Sequence, residues 1–411
     1  MKVAIICPVF PPESVASAVM AEQIAEGLVA AGHQVRVVTS FPSKMQGKIF
    51  PGYKRKPWEW AQHPAGFKVL RVFSIFSAQS RALSRLVENT SYAMTSSLGL
   101  LLGERPDVVY MNTWPSVSTF VTGLVCRIAR IKYVYNLQDL YPESAAGLGH
   151  VKPDGWAFRL MAAMDRYTMT GAAAVVPNSE EFAETIIRTR GVQASRVHVV
   201  WNWYDGRIIP GPKDNEYRRT WGADAGTCVV MYAGNVGSVA GLETVLDAAE
   251  LLRDRLLCRF VLAGDGASRP ALEADCARRG LDSVKFFYPL HRAELAQVQA
   301  AADIMLITTL KSLSHSEVPS KIMGYMLSGR PVLSMVDSRS NTARVMDLAQ
   351  CGRVGAPEDP EALADLVEDM FKSGRLEEWG ANARHFAEEN FDQAKMVARI
   401  VAVLQQVRSE N

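Results

Sequence analysis

The sequence contains no unbroken apolar run of about 18 residues, so no stretch of it reads as a membrane-spanning helix. It has no CxxC pair, and none of its six cysteines has a histidine partner at zinc spacing. Cys7, Cys126, Cys228, Cys258, Cys276 and Cys351 are scattered, most of them inside apolar runs. They read as buried thiols in a reducing compartment. An excess of one charge is also missing: the formal net charge is +2, too small for the basic field that nucleic-acid binding relies on. No acidic cluster suits a metal, so neither a metal nor a cofactor is expected. The N-terminal apolar run is ended by Pro8, Pro11 and Pro12, too early for a secretory h-region. The expectation is a cytoplasmic protein that binds no nucleic acid.

The composition that remains is globular. Of 411 residues, 48% are hydrophobic and 21% charged, and the length calls for more than one core. Residues 2–7 (KVAIIC) read as a strand, Val19 to Ala31 as a helix and Gln34 to Thr39 as a second strand. That is a βαβ unit, the building block of parallel sheets. Its first loop has no glycine before Gly27, so it is not the GxGxxG dinucleotide fingerprint. Residues 42–66 read as a long loop. Further strands are expected at 107–112, 132–136, 173–176 and 197–200. Periodicity lapses over WNWYDGRIIPGP (201–212), and a second array follows with strands at 228–233, 259–263, 284–287, 304–308 and from Pro331. The reading is α/β, with two Rossmann-like domains of parallel sheet facing a central cleft. Its boundaries are residues 1–203, residues 204–388 and a C-terminal helix, 389–411, that packs back on the first domain.

Three loops in the second half can hold a phosphate. GNVGSVAG (Gly234–Gly241) follows one strand and GDGASR (Gly264–Arg269) follows the next. Glycines admit close backbone approach, and helix starts favour negative charge. VPSKIMGYMLSGRPVL (Val318–Leu333) opens a helix with Lys321 near its start. A diphosphate held by backbone N–H groups, Arg269 and Lys321 is the shared expectation. In the first half, Asp139 and Glu143 lie just past a strand end. If that segment is helical, they share a face and form either an acid–base pair or a helix-start capping pair.

The order of YAGNVGSVAG, LAGDGASRPALE, FYPLHRAEL, AADIMLITT and VPSKIMGYMLSGRPVL resembles retaining glycosyltransferases of the GT-B fold, family 4. FPPE, LQDLYPES, PNSEEF and VWNWYD match in the first half, so the likeness spans nearly the whole chain. Bacterial enzymes that build O-antigen or capsule sugars look most alike. The resemblance implies transfer of a sugar, with retention, from a nucleotide-diphosphate sugar of UDP type. The acceptor it implies is a saccharide on an undecaprenyl carrier at the inner membrane face. The basic-aromatic stretch Lys54 to Arg85 would make the peripheral membrane contact. Nucleotide-sugar contacts fall on Gly234, Asn235, Gly237, Ser238, Gly264, Gly266, Pro289, Leu290, Glu317, Ser320 and Lys321, and acceptor contacts on Glu13, Ser14, Ala16 and Ser17. Asp139, Glu143, Arg269 and Lys321 would carry the chemistry. Several family positions differ. Asn235 and Ala240 stand where two diphosphate cations are usual, Ser316 and Gly324 replace two glutamates, and Gln138 replaces the histidine of a His-Asp pair. Two other readings fit such departures: a UDP-sugar 2-epimerase and a non-catalytic nucleotide-sugar binder.

Overall fold

The structure, a computed structural model, describes residues 1–410 apart from 14, 44–48, 76–81, 113–115, 148–150, 154, 205–207, 292–293 and 312–319. The chain forms two compact units, residues 1–202 with 394–411, and residues 203–393.

The first unit runs β1 (Lys2–Ile6), α1 (Ala16–Ala30), β2 (Gln34–Ser40), β3 (Trp58–Gln62), β4 (Lys68–Val72), α2 (Ala82–Leu101), β5 (Val108–Asn112) and α3 (Ser116–Ile128). It continues through β6 (Lys132–Leu137), α4 (Glu143–Gly147), α5 (Trp156–Gly171), β7 (Ala174–Pro177) and α6 (Glu180–Arg190). The sheet order is β3-β4-β2-β1-β5-β6-β7. β3 lies antiparallel to β4, and all other pairs are parallel. The strands read as apolar runs because helices cover both faces of such a sheet. The connection from β1 to β2 runs opposite to those from β5 to β6 and β6 to β7. Right-handed crossovers therefore put α1 on one face and α3 and α5 on the other.

The second unit runs α7 (Glu216–Thr220), β8 (Cys228–Ala233), α8 (Glu243–Leu251), β9 (Cys258–Ala263), α9 (Arg269–Arg279), β10 (Val284–Phe287), α10 (Leu295–Ala300) and β11 (Ile304–Thr308). It closes with α11 (Ser320–Leu327), β12 (Val332–Met335), α12 (Asn341–Ala349), β13 (Gly352–Gly355), α13 (Pro360–Lys372) and α14 (Leu376–Asn390). Its sheet, β10-β9-β8-β11-β12-β13, is parallel throughout. The last helix, α15 (Gln393–Ser409), packs in the first unit. Gly27 on α1 makes room for it, since a Cβ there would lie 2.2 Å from Val397 Cγ1. Lys132 Nζ donates to the Val407 carbonyl at 2.9 Å and ties the same helix to β6.

Some elements differ from expectation. Residues 58–62 are an edge strand, not loop. Four of its five residues are exposed, so its pattern lacks an apolar period. Residues 197–200 form no strand of their own: His198 and Val200 donate to Val175 and Pro177 at 3.0 Å beside β7. β13 was not anticipated from its short GRVG sequence. Asp139 precedes α4, which begins only at Glu143, so the two carboxylates share no helical face.

Candidate functional site

In open α/β sheets ligands bind beyond the carboxyl ends of strands where the order reverses. In the second unit that point is β8 beside β11. The loops after these two strands meet there. Thr308 Oγ1 donates to the Ala240 carbonyl at 2.6 Å, and the Leu310 N–H donates to Val239. The loop after β8 is also laced to the loop after β9. Val236 N–H donates to Asp265 O at 2.8 Å and Ser268 N–H to Val236 O at 3.0 Å. This lacing needs glycine: a Cβ at Gly264 would lie 2.0 Å from Gly234 O, and one at Gly266 2.3 Å from Val236 O. The N–H groups of Gly237 and Ser238 donate to no described residue.

Lys321, in the first turn of α11, reaches this junction. Its Cε lies 2.6 Å from where a Gly234 Cβ would sit. Its ammonium stands 4.0 Å from the centroid of the Tyr232 ring and donates to the Tyr232 hydroxyl, which donates to Asn235 O at 2.7 Å. Burial makes the charged form costly and lowers the Lys321 pKa to about 8. A half-buried cation beside two glycine loops suits an anion able to enter between them.

The structure thus brings Lys321 together with Gly234, Asn235, Gly264 and Gly266. Arg269 is engaged otherwise. Its Nε donates to Glu273 at 2.7 Å and its guanidinium lies over Tyr288, 5.1 Å from the ring centroid. Pro289 is exposed and Leu290 half-buried just past β10. Glu317, Ser316 and the Ser320 side chain lie outside the described residues. Gly324 is buried under Tyr204, whose Cε2 would be 3.1 Å from an added Cβ.

In the first unit, Asp139 is half-buried past β6 and has no hydrogen bond or ion pair with a described residue. Glu143 is committed: Arg190 binds it at 2.6 Å, binds Asp165 at 3.1 Å and donates to the Tyr141 carbonyl at 3.0 Å. Burial pushes the Asp165 carboxyl up to about 6, against Arg190 and the Tyr135 hydroxyl, which favour its charged form. Glu13 is buried and accepts the Ser43 N–H at 3.0 Å. Ala16 is exposed and Ser17 half-buried at the start of α1, and Ser14 lies outside the described residues.

Sequence reasoning missed a chain of amides beside Asp139. Asn136 Nδ2 donates to Asn112 Oδ1 at 2.7 Å, and Gln138 Nε2 to Asn136 Oδ1 at 3.1 Å. Asn202 Nδ2 donates to Gln138 Oε1 at 2.8 Å, and Asn178 Nδ2 to the Gln138 carbonyl at 3.2 Å. The available signal was an amide at or just past the end of each apolar run. Such a chain fixes amide orientation without adding charge, and suits neutral hydroxyl-rich ligands.

Among the described residues, Glu22, Glu26 and His63 place potential metal-ligand atoms within 4.8 Å of one another. His63 Nδ1 accepts the Ala65 N–H at 3.3 Å, which leaves the ring proton on Nε2, facing Glu22 at 3.0 Å. That is a hydrogen-bonded pair, with the proton on the nitrogen a metal would need.

The model of the glycosyl transferase 4-like domain matches residues 16–203, and that of glycosyl transferases group 1 matches residues 227–373. The chain is 26% identical to the probable glycosyltransferase WbjE of Pseudomonas aeruginosa, over 82% of this chain and 84% of that one. It is 24% identical to the putative colanic acid biosynthesis glycosyl transferase WcaI of Escherichia coli K12, over 92% and 93%. Among solved structures, HepE of Anabaena in complex with UDP superposes with a TM-score of 0.69 at 18% identity, covering 99% of this chain and 100% of that one.

Proposed function

The chain belongs to the GT-B glycosyltransferases of family 4 type, and we propose that it transfers a sugar, with retention, from a UDP-sugar to a lipid-linked saccharide in surface-polysaccharide assembly. The transferase class displaces the 2-epimerase and non-catalytic readings. The observation that carries the proposal is Lys321, a half-buried ammonium at the junction of two glycine loops. As the glycosidic bond breaks, the departing diphosphate gains negative charge. Lys321 and the N–H groups of Gly237 and Ser238 are preorganised to meet it. The departing phosphate takes the acceptor proton, so no dedicated base is required. Asp139 and the amide chain ending at Asn202 orient sugar hydroxyls. The name of WcaI, a putative colanic acid biosynthesis glycosyl transferase, supports a surface-polysaccharide pathway, and the bound UDP of HepE supports the donor.

The test is transfer by Lys321→Ala against wild type. A loss on the order of a hundredfold is expected, the scale of losing one oxyanion donor. A near-wild-type rate overturns the diphosphate assignment. Transfer is also expected to survive EDTA, because positive charge at the diphosphate comes from the protein. Loss on chelation with rescue by magnesium overturns that reading.

A further inference from the structure

We propose that the first unit binds an acidic oligosaccharide in a cleft at the amino ends of its strands, apart from the site of transfer. The cleft measures about 800 Å³, within the range of ligand pockets, and its floor is the face of the sheet next to α2. The register fixes which side chains lie on that floor. Lys2 pairs with Gln34, Arg36 with Lys68, and Gln62 with Lys68. Paired residues share a face, and so do residues two apart in one strand. Lys2, Gln34, Arg36, Lys68, Gln62 and Trp60 therefore form one polar row across β1, β2, β4 and β3, and all six line the cleft.

The row is polar because α2 stops short of it. Under α2 the same face is apolar, and a Cβ at Gly99 would lie 3.1 Å from Leu70 and Val72. The helix ends at Leu101, where Arg36 donates to the Leu100 carbonyl at 2.9 Å and to that of Leu102. Beyond that end Lys2, Gln34, Lys68, Gln62 and Trp60 stand exposed. The side chains of Gln34, Gln62 and Lys68 make no hydrogen bond to a described residue. Glu13 and Asp139 follow the carboxyl ends of β1 and β6, at the opposite edge of the sheet. The seven residues of β2 separate the two edges by roughly 20 Å.

These side chains select the occupant. Lys2, Arg36 and Lys68 face one acid among the described lining residues, Glu104. Glu104 holds Lys2 at 2.7 Å, but the pair is exposed, and an exposed pair is worth little enough for a ligand carboxylate to replace it. β2 lies between the strands of Lys2 and Lys68, which puts those strands about 10 Å apart. A single phosphate or carboxylate does not meet both cations, whereas a ligand with charge repeated along its length does. The amides of Gln34 and Gln62 each offer donors and an acceptor to hydroxyls. Trp60, 44% exposed, gives a flat apolar face on which a pyranose ring stacks. Spaced cations, two amides and an indole together match a short chain of sugar acids. The cleft is read from its own side chains and does not depend on the donor assignment.

The test is isothermal titration of the full chain, without donor, with a tetramer of galacturonic acid and with maltotetraose as the neutral control. The acidic tetramer is expected to bind about tenfold more tightly than the neutral one, and more weakly as salt rises. The variant K68Q, altered at an exposed position, is expected to weaken the acidic tetramer about fivefold with an unchanged melting temperature, the scale of one exposed charge contact. W60A is expected to weaken both tetramers, because stacking on the ring does not depend on charge. The cleft is overturned by absence of binding, by equal affinity for the two tetramers, or by wild-type affinity in both variants. Monomeric galacturonate bound as tightly as the tetramer overturns the extended site. An oligothymidylate bound more tightly than the uronate makes the cleft a nucleic-acid surface and overturns the saccharide. K321A is expected to bind the acidic tetramer like wild type. Loss of that binding in K321A places the ligand in the second unit and overturns the cleft, whereas lost transfer with binding intact bears on the donor site alone.

Discussion

Lys321 combines two features that rarely coincide on a surface lysine: it is half-buried, and among the described residues it stands against the ring and hydroxyl of Tyr232 and the backbone at Gly234. The cation–π contact and the phenol recover part of the desolvation cost, and an arriving diphosphate would recover more. The sign of the pH dependence follows. Burial depresses the pKa to about 8, so the group is a cation below that pH and neutral above it. Below pH 8 the free enzyme presents the charge that a diphosphate needs. The value of kcat/KM for the donor is therefore expected to fall as pH rises through about 8, and kcat to hold further, because bound diphosphate keeps the lysine protonated. Lys321→Met should abolish that limb, so a limb unchanged in Lys321→Met would assign the titration elsewhere. Gly324 carries the opposite lesson. From family position alone a glutamate there should add a ribose contact. With Tyr204 packed over the site, Gly324→Glu has to displace a ring and is expected to weaken donor binding, as isothermal titration would read directly.

At the scale of elements, the glycine loops are fitted to one another before any ligand arrives. Gly264 adopts φ +140°, and its missing Cβ is what lets the Gly234 carbonyl approach. Gly264→Ala combines a strained backbone with an overlap against backbone that has no rotamer to escape into. A loss of about 2–4 kcal/mol in urea unfolding is expected, against less than about 1 kcal/mol for an alanine at the exposed Ser238. Equal midpoints for the two variants would mean the loops can separate freely. The βα order of this unit was legible because strands such as CVVMYA are buried on both faces and need no alternation to be recognised. β3 was not, because an exposed edge strand carries almost no apolar period. The glycine loops and Lys321 were legible as local motifs. The amide chain was not, since it joins Asn112, Asn136, Gln138 and Asn202 from separate strand ends, and only the sheet order makes them neighbours. The pairing of Arg190 with Glu143 and that of Arg269 with Glu273 were invisible for a related reason: a motif names a charge but not the partner that occupies it. Arg190→Gln would leave Asp165 buried without its cation, a change on the order of 3–5 kcal/mol. If the network also positions the segment carrying Asp139, Arg190→Lys should recover stability more fully than kcat, and parallel recovery of both would mark the arginine as structural alone.

At the scale of the whole chain, two sheets each enclose their own core, one built around Tyr133, Val109 and Leu70, the other around Tyr232, Leu306 and Val245. The covalent path passes between the units twice, after Asn202 and again before Ala394, because α15 returns to the first unit. Separate cores allow separate unfolding, and the proposed donor contacts lie wholly in the second unit. A ligand that binds one native unit stabilises that unit by RT ln(1 + [L]/Kd), about 2.7 kcal/mol at a hundredfold excess over Kd. Calorimetry is therefore expected to resolve two transitions, with a UDP-sugar raising one of them by several degrees and leaving the other in place. The moved transition can be identified without assumption. Trp221 and Trp379 are buried in the second unit and Trp201 in the first, so single Trp→Phe variants report which core melts when. The donor should delay the Trp221 and Trp379 signals and spare that of Trp201. A donor shift carried by Trp201 alone would place the nucleotide in the first unit and overturn the assignment of Lys321 and the glycine loops together.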